Sequence, residues 1–316
     1  MDDTPTLATP MNEQIIDVLC REDIAPNAYV SAMCRTIQER HPERVLGFLY
    51  YGSSLREMNN PDKMLDFYVL VDSYRKTHKG RPIRAFFNAL IPPCVFYQEQ
   101  EHEDSHLSTC KYSLITLRAF ERRCTKSALL SVIWGRFSQP SILLFTKTSF
   151  IHRRIMTARA NAVRHIAKET APLINSSATI TEFWARAFYE SYRTELRPES
   201  STGRSKEIVE RYHERYADLT EILYGKADED GRFNIYEKGK FTTSLRWAAR
   251  RVLGKFTAAA RLINNAFSFD GGLDYVLRKI KNHSGVSIDV TPAHRKHPIL
   301  WSPILAWRLY RKGAFR

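Results

Sequence analysis

The pattern of hydrophobic and polar positions along the chain first predicts a helical segment and then a set of strands. Helical spacing of apolar residues runs from about Asn12 to Arg40, with a break near Pro26. Three short apolar runs follow, and they predict strands at Val45–Tyr51, Met64–Val71 and Thr109–Leu117. A polar stretch interrupted by prolines separates the last two of these strands.

Helical spacing returns after Pro140 and continues through most of the remaining chain. It predicts helices over about Ser141–Leu173, Ile180–Tyr192 and Ser205–Leu223. The polar segment PESSTGRS interrupts these helices, and GKADEDGR after them is typical of a linker.

Together these patterns predict an α+β fold in three parts. We expect a mixed α/β unit over residues 1–140 and a helical unit over residues 141–225. A basic C-terminal region over residues 226–316 completes the chain.

The C-terminal region contains a predicted basic amphipathic helix. At 100° per residue its apolar side chains share one face and its arginines lie on the other. The apolar residues are Leu245, Ala249, Val252, Phe256, Ala259, Ala260, Ile263 and Phe267, and the arginines are Arg246, Arg250, Arg251 and Arg261. Such a helix can lie in the interface of an anionic bilayer with its arginines on lipid phosphates. A surface helix packed on a protein core has the same pattern.

The net charge of +14 favours binding to a polyanion: nucleic acid, an acidic membrane or a phosphorylated substrate. Residues 241–316 contain fourteen basic and three acidic residues and therefore carry +11 of this charge. Their last part interleaves Trp301 and Trp307 with Arg308 and Arg311, a mixture that suits the headgroup zone of a membrane. We therefore expect an anionic membrane surface, rather than nucleic acid, as the partner of this region.

Cysteine usage and the N-terminal segment predict where the protein works. The five cysteines lie at least ten residues apart and give neither a disulfide framework nor zinc-ligand spacing. The segment MDDTPTLATP has no features of a signal or transit peptide, and no apolar run approaches the roughly 18 to 20 residues of a transmembrane helix. We expect a peripheral protein at the cytoplasmic face of the inner membrane, or at the matrix side if it is organellar.

A glycine-serine turn followed by a strand carboxylate is the first sign of chemistry. Gly52, Ser53 and Ser54 follow the first predicted strand, and Asp66 lies within the apolar strand LDFYVLV. Glycine lets the backbone approach a triphosphate, and the carboxylate can bind Mg²⁺ that bridges phosphate oxygens. This arrangement resembles the polymerase-β-like nucleotidyltransferase superfamily, although a simple hairpin has the same local pattern.

The second carboxylate of that superfamily, two positions along the same strand, is replaced here by Tyr68. Asp72 lies on the same strand face, but six residues of extended chain span roughly 20 Å. Asp72, Glu103 and Asp104 are the candidates for a second metal ligand.

Further short segments extend the resemblance in a fixed order. They are YYGSS, MLDFYVLVDS, the following His78, Asn88, PPCVFY, KYSLIT, GRFSQP and SYRTELR. Their order and spacing resemble the family of the mitochondrial translocator assembly and maintenance protein, a peripheral CDP-diacylglycerol synthase. The similarity runs from about Gly47 to Leu223 and continues more loosely through the basic C-terminal region.

The resemblance implies a nucleotidyltransferase domain joined to a winged-helix-like helical domain, with C-terminal membrane attachment. It implies that CTP and Mg²⁺ bind between the domains and that phosphatidic acid attacks the α-phosphorus, releasing pyrophosphate. The residues it implies are Gly52, Ser53 and Ser54 on the triphosphate, Asp66 on Mg²⁺, and Lys111 and Arg136 on phosphate charge. His78, Arg193 and Arg197 are further candidates for phosphate contacts; a packed structural histidine and surface ion pairs are the alternatives.

Other functions fit the same sequence. The acceptor can be a different phosphorylated lipid, and the missing second carboxylate permits a protein that binds nucleotides without turnover. A basic helical domain also suits nucleic acid, but most of the positive charge lies in the C-terminal region.

Overall fold

The chain folds around a five-stranded mixed sheet flanked by helices. The computed structural model describes residues 9–22, 24–57, 60, 62–79, 82–195, 201–268, 273, 277, 280–281, 284–296 and 298–313. The predicted α+β composition and mixed sheet are confirmed in this part of the chain.

The sheet has the strand order β3-β4-β2-β1-β5. The strands are β1 Val45–Tyr51, β2 Leu65–Val71, β3 Cys94–Glu101, β4 Leu107–Thr116 and β5 Ser141–Thr146. Strands β2 and β4 are parallel, and all other neighbouring pairs are antiparallel. The three predicted strands are confirmed as β1, β2 and β4, with ends shifted by no more than two residues.

Two strands of the sheet were not predicted. Strand β5 was assigned to a helix starting at Ser141, because a short buried apolar run has no period that separates strand from helix. That helix instead begins at Ser149, where the Thr148 side chain caps it by accepting from the Ile151 N–H. Strand β3 lies at the sheet edge, and its second half, QEQE, is polar. It therefore has no continuous apolar run over its full length to distinguish it from the polar, proline-interrupted stretch around it. The sheet therefore extends past residue 140, where the predicted helical unit begins.

Helices surround the sheet and make up most of the second half of the chain. They are α1 Pro10–Cys20, α2 Ala28–Arg40, α3 Ser53–Arg56, α4 Tyr74–Thr77, α5 Pro82–Leu90, α6 Leu117–Arg123, α7 Trp134–Phe137, α8 Ser149–Thr170, α9 Ile180–Tyr192, α10 Ser201–Arg211, α11 His213–Tyr224, α12 Lys240–Ser268, α13 Pro292–Lys296 and α14 Pro298–Arg311. A 3₁₀ turn covers Ala171–Leu173, and two short antiparallel strands, β6 Ser177–Thr179 and β7 Arg232–Asn234, pair with each other. The predicted break near Pro26 is confirmed between α1 and α2.

Glu22 ties the N-terminal segment to the sheet and to the helices of the second half. Its carboxylate accepts from Arg159 Nη2 at 3.0 Å and also pairs with Arg215 Nε. Arg159 donates to the Ser141 carbonyl at 2.7 Å, and Arg215 donates to the Ser138 carbonyl at 3.0 Å. Both guanidinium groups are buried, so this cluster holds α8 and α11 in a fixed position relative to β5.

Helix α12 packs on the protein through its arginines. Arg250 is buried, pairs with Glu169 of α8, and lies 5.3 Å and 4.9 Å from the ring centroids of Trp134 and Trp247. Arg251 pairs with Glu190 of α9 at 3.0 Å. These two carboxylates pair with Arg250 and Arg251, so this part of the basic face is directed inward. Arg246 lies 3.6 Å from Glu169 but is half exposed.

The apolar face of α12 is therefore exposed. Side-chain exposure reaches 62% at Leu245, 70% at Val252 and 73% at Phe256. The predicted amphipathic helix is confirmed, but Arg250 and Arg251 contact carboxylates of the protein instead of facing outward. The side chains of Ile263 and Phe267 lie outside the described residues. Within the described ranges, no helix is both long enough and apolar enough to cross a bilayer.

Candidate active site

The turn after β1 brings the backbone of Gly52 against Asp66. Gly52 has φ +92°, a conformation that glycine adopts without strain, and it precedes the short helix α3. A β-carbon at Gly52 would lie 2.7 Å from Asp66 Oδ2, so the close approach itself requires glycine. Ser53 lines the cavity described below, and Ser54 is buried behind it.

Asp66 and Lys111 are neighbours because their strands are parallel and in register. Asp66 pairs with Tyr51 of β1 on one side and with Lys111 of β4 on the other. Lys111 Nζ lies 3.0 Å from Asp66 Oδ1, and the two side chains are 35% and 17% exposed. The sheet thus presents a carboxylate and an ammonium group together at the same edge of the cavity.

Arg136 reaches the same place from helix α7. Its guanidinium lies 4.9 Å from the centroid of the Tyr51 ring, and its Nη2 is 3.3 Å from Glu195 Oε1. Neighbouring Gly135 packs so tightly on the Ser191 side chain that a β-carbon there would overlap it. Arg136 is therefore held by contacts from both the sheet and the segment after α9.

These residues converge on one cavity of about 370 Å³. Its lining includes Gly52, Ser53, Arg56, Asp66, Lys111, Arg136, Gln139, Tyr192, Glu195, Arg204 and Tyr212. Among the described lining residues, four are cationic and two are carboxylates. A positively charged cavity of this size suits a ligand that carries several phosphate groups.

Arg56 and Arg204 are functional candidates that the sequence did not reveal. Burial lowers the pKa of Arg56, and the positive charge of Arg204 lowers it further. Both guanidinium groups line the cavity, where they can contact an anionic ligand. Arg56 lies on α3, three positions after Ser53, and this closeness to the glycine-serine turn is a sequence signal that could have identified it. Arg204 lies in a segment that the sequence predicts to be a polar break, whereas in the structure α10 begins at Ser201.

Glu195 and Tyr192 were also missed. Glu195 holds Arg136, and the Tyr192 hydroxyl donates to Gln139 Oε1 at 2.8 Å. Both lie at or just after the C-terminal end of α9, within the matched segment SYRTELR. The sequence predicts a role for Arg193 and Arg197 of that segment, whereas the structure places Tyr192 and Glu195 at the cavity.

His78 and Arg193 lie away from the cavity. His78 is buried, hydrogen-bonds with Asn88 at 2.6 Å and stacks on Phe96, which agrees with the packed structural alternative. Arg193 lies over the Tyr189 ring and 3.9 Å from Glu190, on the surface of α9. Arg197 lies outside the described residues.

The candidates for a second metal ligand are not brought to Asp66. Asp72 follows the other end of β2 and accepts from Arg44 Nη1 at 2.8 Å. Glu103 and Asp104 lie in the turn between β3 and β4, where Asp104 accepts from the Tyr29 hydroxyl at 2.6 Å. Asp66 and Asp72 lie at opposite ends of the extended strand β2, which keeps their carboxylates apart. Of the predicted metal ligands, Asp66 therefore lies at the cavity and Asp72 does not.

The groups at the cavity fit a Mg²⁺ ion that arrives with a nucleotide. Mg²⁺ commonly takes one or two protein carboxylates and completes its shell with substrate phosphates and water. Asp66 supplies one carboxylate there. In the part of the chain that the structure describes, no group of three or more His, Cys, Asp or Glu side chains could hold a metal alone.

Comparison with known proteins adds no family assignment. No protein-family model matches the chain, and no curated protein matches it significantly.

Proposed function

We propose that the chain is a phosphatidate cytidylyltransferase, which transfers a cytidylyl group from CTP to phosphatidic acid. The observation that carries this proposal is the convergence of Gly52, Asp66, Lys111 and Arg136 on a single positively charged cavity. The turn after β1, strands β2 and β4, and helix α7 contribute these residues, which the sequence resemblance assigns to one site.

The reaction conserves charge and needs no covalent enzyme intermediate. An anionic oxygen of the phosphate monoester forms a bond to the α-phosphorus of CTP. The bond from that phosphorus to the oxygen bridging to the β-phosphate breaks, and pyrophosphate leaves with the electron pair. Positioning of the reactants and stabilisation of phosphate charge supply most of the rate in such transfers.

Each residue at the cavity has a role in this scheme. Gly52 lets the chain pass close to the triphosphate, and Asp66 would hold Mg²⁺, which supplies further charge neutralisation when bound. Lys111 and Arg136 stabilise charge at the reacting phosphates. Arg56 and Arg204 bind the remaining phosphate groups, because one guanidinium group can donate two parallel hydrogen bonds to two oxygens of a phosphate.

Membrane attachment is part of the proposal. The exposed apolar face of α12, with Leu245, Val252 and Phe256, is suited to insertion between lipid headgroups. We place the protein at the cytoplasmic face of the inner membrane, or at the matrix side in an organelle. Attachment there would bring the cavity to its lipid acceptor.

Pyrophosphate release tests the proposal. Purified full-length protein is incubated with Mg²⁺, phosphatidic acid in mixed micelles and each of the four nucleoside triphosphates in turn. We expect turnover with CTP, and Asp66→Asn to reduce it by about 100-fold or more. Asp62→Asn removes a nearby exposed carboxylate and is the matched control.

Other outcomes would replace the proposed acceptor or activity. Turnover with a different phosphorylated lipid would keep the nucleotidyltransferase and change its acceptor. If no triphosphate is consumed while Mg²⁺-dependent nucleotide binding persists, the chain is a binding protein and not an enzyme.

A further inference from the structure

A second cavity, of about 490 Å³, lies between helices α6 and α12. Arg122 and Arg123, at the end of α6, line one side, and Leu253 and Thr257 of α12 line the other. The connecting segment 127–130 completes the lining. This cavity is separate from the one around Asp66, since the two share no lining residue.

The arginines at this second cavity have no carboxylate partner in the described chain. Arg122 and Arg123 form no ion pair with a carboxylate of the described residues, and the Nε atom of Arg123 is buried without a hydrogen-bond partner among them. Burial lowers the pKa of Arg123, and the charges of Arg122 and Arg261 lower it further. Arg123 is thus partly buried without a carboxylate partner, and the exposed Arg122 lies beside it, so the cavity is suited to an external anion.

Arg261 links this cluster to the candidate active site. Burial lowers the pKa of Arg261, while Tyr68 and Glu195 raise it and Arg136 lowers it, so all three lie within electrostatic range. Tyr68 lies two positions after Asp66 on β2, and its ring centroid is 5.3 Å from that of Tyr51. Arg261 lies on the same face of α12 as Leu253 and Thr257, and it is within electrostatic range of Arg123 at the second cavity and of Arg136 at the first.

Apolar side chains flank the mouth of the second cavity. Leu129 and Leu253 line it and are 49% and 41% exposed. Val252 and Phe256, next to Leu253 and Thr257 on α12, extend the apolar surface outward. Cations without carboxylate partners beside exposed apolar groups are complementary to a molecule with an anionic head and hydrocarbon chains.

We propose that the second cavity is the acceptor subsite, and that it binds the phosphate monoester of a two-chain anionic lipid. Arg122, Arg123 and Arg261 contact the phosphate oxygens. The acyl chains lie along Leu129, Leu253 and the apolar face of α12. The assignment to an acceptor rests on the proposed function, whereas lipid binding itself is measured without turnover.

The first experiment measures binding to the full chain of short-chain phosphatidic acid below its micelle concentration. Arg123→Gln/Arg261→Gln should raise its Kd by about tenfold or more, because two charge-assisted contacts are lost. The control, Arg118→Gln/Lys255→Gln, makes the same charge change at exposed positions on the same two helices and should leave Kd within about twofold. The Kd for CTP with Mg²⁺ is measured for each protein to show that the nucleotide cavity is intact.

A second variant guards against misfolding of the arginine double variant. Ser127 is exposed and lines the same cavity, so Ser127→Glu places a carboxylate beside the arginines without disturbing the core. It should also raise the lipid Kd about tenfold, through competition for the cations. Unchanged lipid Kd in both Ser127→Glu and the arginine double variant would overturn the proposal.

Two further comparisons identify the ligand. Glycerol 3-phosphate carries the same phosphate without acyl chains, and equal affinity for it would overturn the lipid assignment in favour of a free-phosphate site. In the turnover assay, wild-type activity with an unchanged KM for phosphatidic acid in Arg123→Gln/Arg261→Gln would refute the subsite while leaving the proposed function intact. Absence of wild-type turnover, together with the expected loss of lipid binding, would instead refute the proposed function alone.

Discussion

Gly52 and Asp66, fourteen positions apart in sequence, are in direct contact across strands β1 and β2. A β-carbon at residue 52 would lie 2.7 Å from Asp66 Oδ2 and 3.2 Å from Asp66 Cβ. The contact fixes the carboxylate against the turn that begins helix α3, beside Lys111. The position of the Asp66 carboxylate therefore depends on the absence of a side chain at residue 52.

Gly52→Ala should inactivate the protein through this contact. We expect pyrophosphate release to fall by about 100-fold or more, because the new methyl group displaces the Asp66 carboxylate. Stability should fall by about 1–3 kcal/mol, since alanine is strained at this φ. Gly225→Ala is the control: its φ is +90°, with nothing within 4 Å of the added β-carbon, so it should share the strain but keep full turnover. Equal turnover in the two variants would show that the contact with Asp66 is unimportant.

Arg56 and Arg204 should bind the same phosphate groups. Arg56→Gln and Arg204→Gln are each expected to raise the KM for the nucleoside triphosphate by about 10-fold or more. The double variant should lose less than the product of the two effects, because both side chains act on one ligand. Steady-state kinetics at saturating lipid give these values, with Arg153→Gln, exposed on α8, as the control. Fully multiplicative effects would show that the two arginines bind the ligand independently, and an unchanged KM in either variant would show that this arginine does not contact the nucleotide.

The buried cluster at Glu22 should dominate the stability of the packing between sheet and helices. Glu22→Gln leaves Arg159 and Arg215 buried without their carboxylate and should lower the free energy of unfolding by about 3–5 kcal/mol. Glu13→Gln, which breaks the exposed pair with Arg153, should change it by less than about 1 kcal/mol. Urea unfolding of both variants measures the difference. Similar values for the two would contradict the assignment of Glu22 as a structural anchor.

The apolar face of α12 should attach the protein to membranes. Val252→Asp/Phe256→Asp is expected to abolish co-sedimentation with vesicles containing anionic lipid, with little change in Tm, because both side chains are exposed. Arg250→Gln should instead lower Tm by several degrees, because it removes the buried cation that pairs with Glu169 and leaves only the half-exposed Arg246, 3.6 Å away. Retention of vesicle binding by the Asp variant would place the membrane contact elsewhere.

Two buried histidines should make the protein less stable in mild acid. Burial lowers the pKa of His41 and of His165 to about 4, from an ordinary value of 6.5. The two histidines contribute fully to the free energy of unfolding above pH 6.5, where they are neutral in both the folded and the unfolded protein. This contribution is lost as the pH falls from 6.5 to 4, because the histidines of the unfolded chain take up protons first. The loss is about 3 kcal/mol for each histidine across that window.

Urea unfolding at pH 7.5 and pH 5 measures this effect. His165→Gln should flatten the pH dependence, whereas His213→Gln, at an exposed position, should leave it as in the wild type. An unchanged slope in His165→Gln would show that the pKa of His165 is the same in the folded and the unfolded protein.

The sequence by itself determined three strands of the sheet and the local pattern around Gly52 and Asp66. Hydrophobic runs located β1, β2 and β4. The local sequence also marked Gly52 and Asp66 as candidate residues, because a turn glycine and a strand carboxylate are both recognisable from their neighbours in the chain. Lys111 and Arg136 came from the family resemblance alone.

Only the tertiary structure decided which side chains complete the cavity and which way α12 faces. Arg56, Arg204 and Glu195 reach the cavity from different elements, and no spacing in the sequence records that convergence. Which face of α12 packs against the protein depends on Glu169 and Glu190, which lie on other helices. Arginines are stable in a buried position only where carboxylates pair with them. Periodicity defines two faces of a helix, but the partners of each face are supplied by long-range contacts.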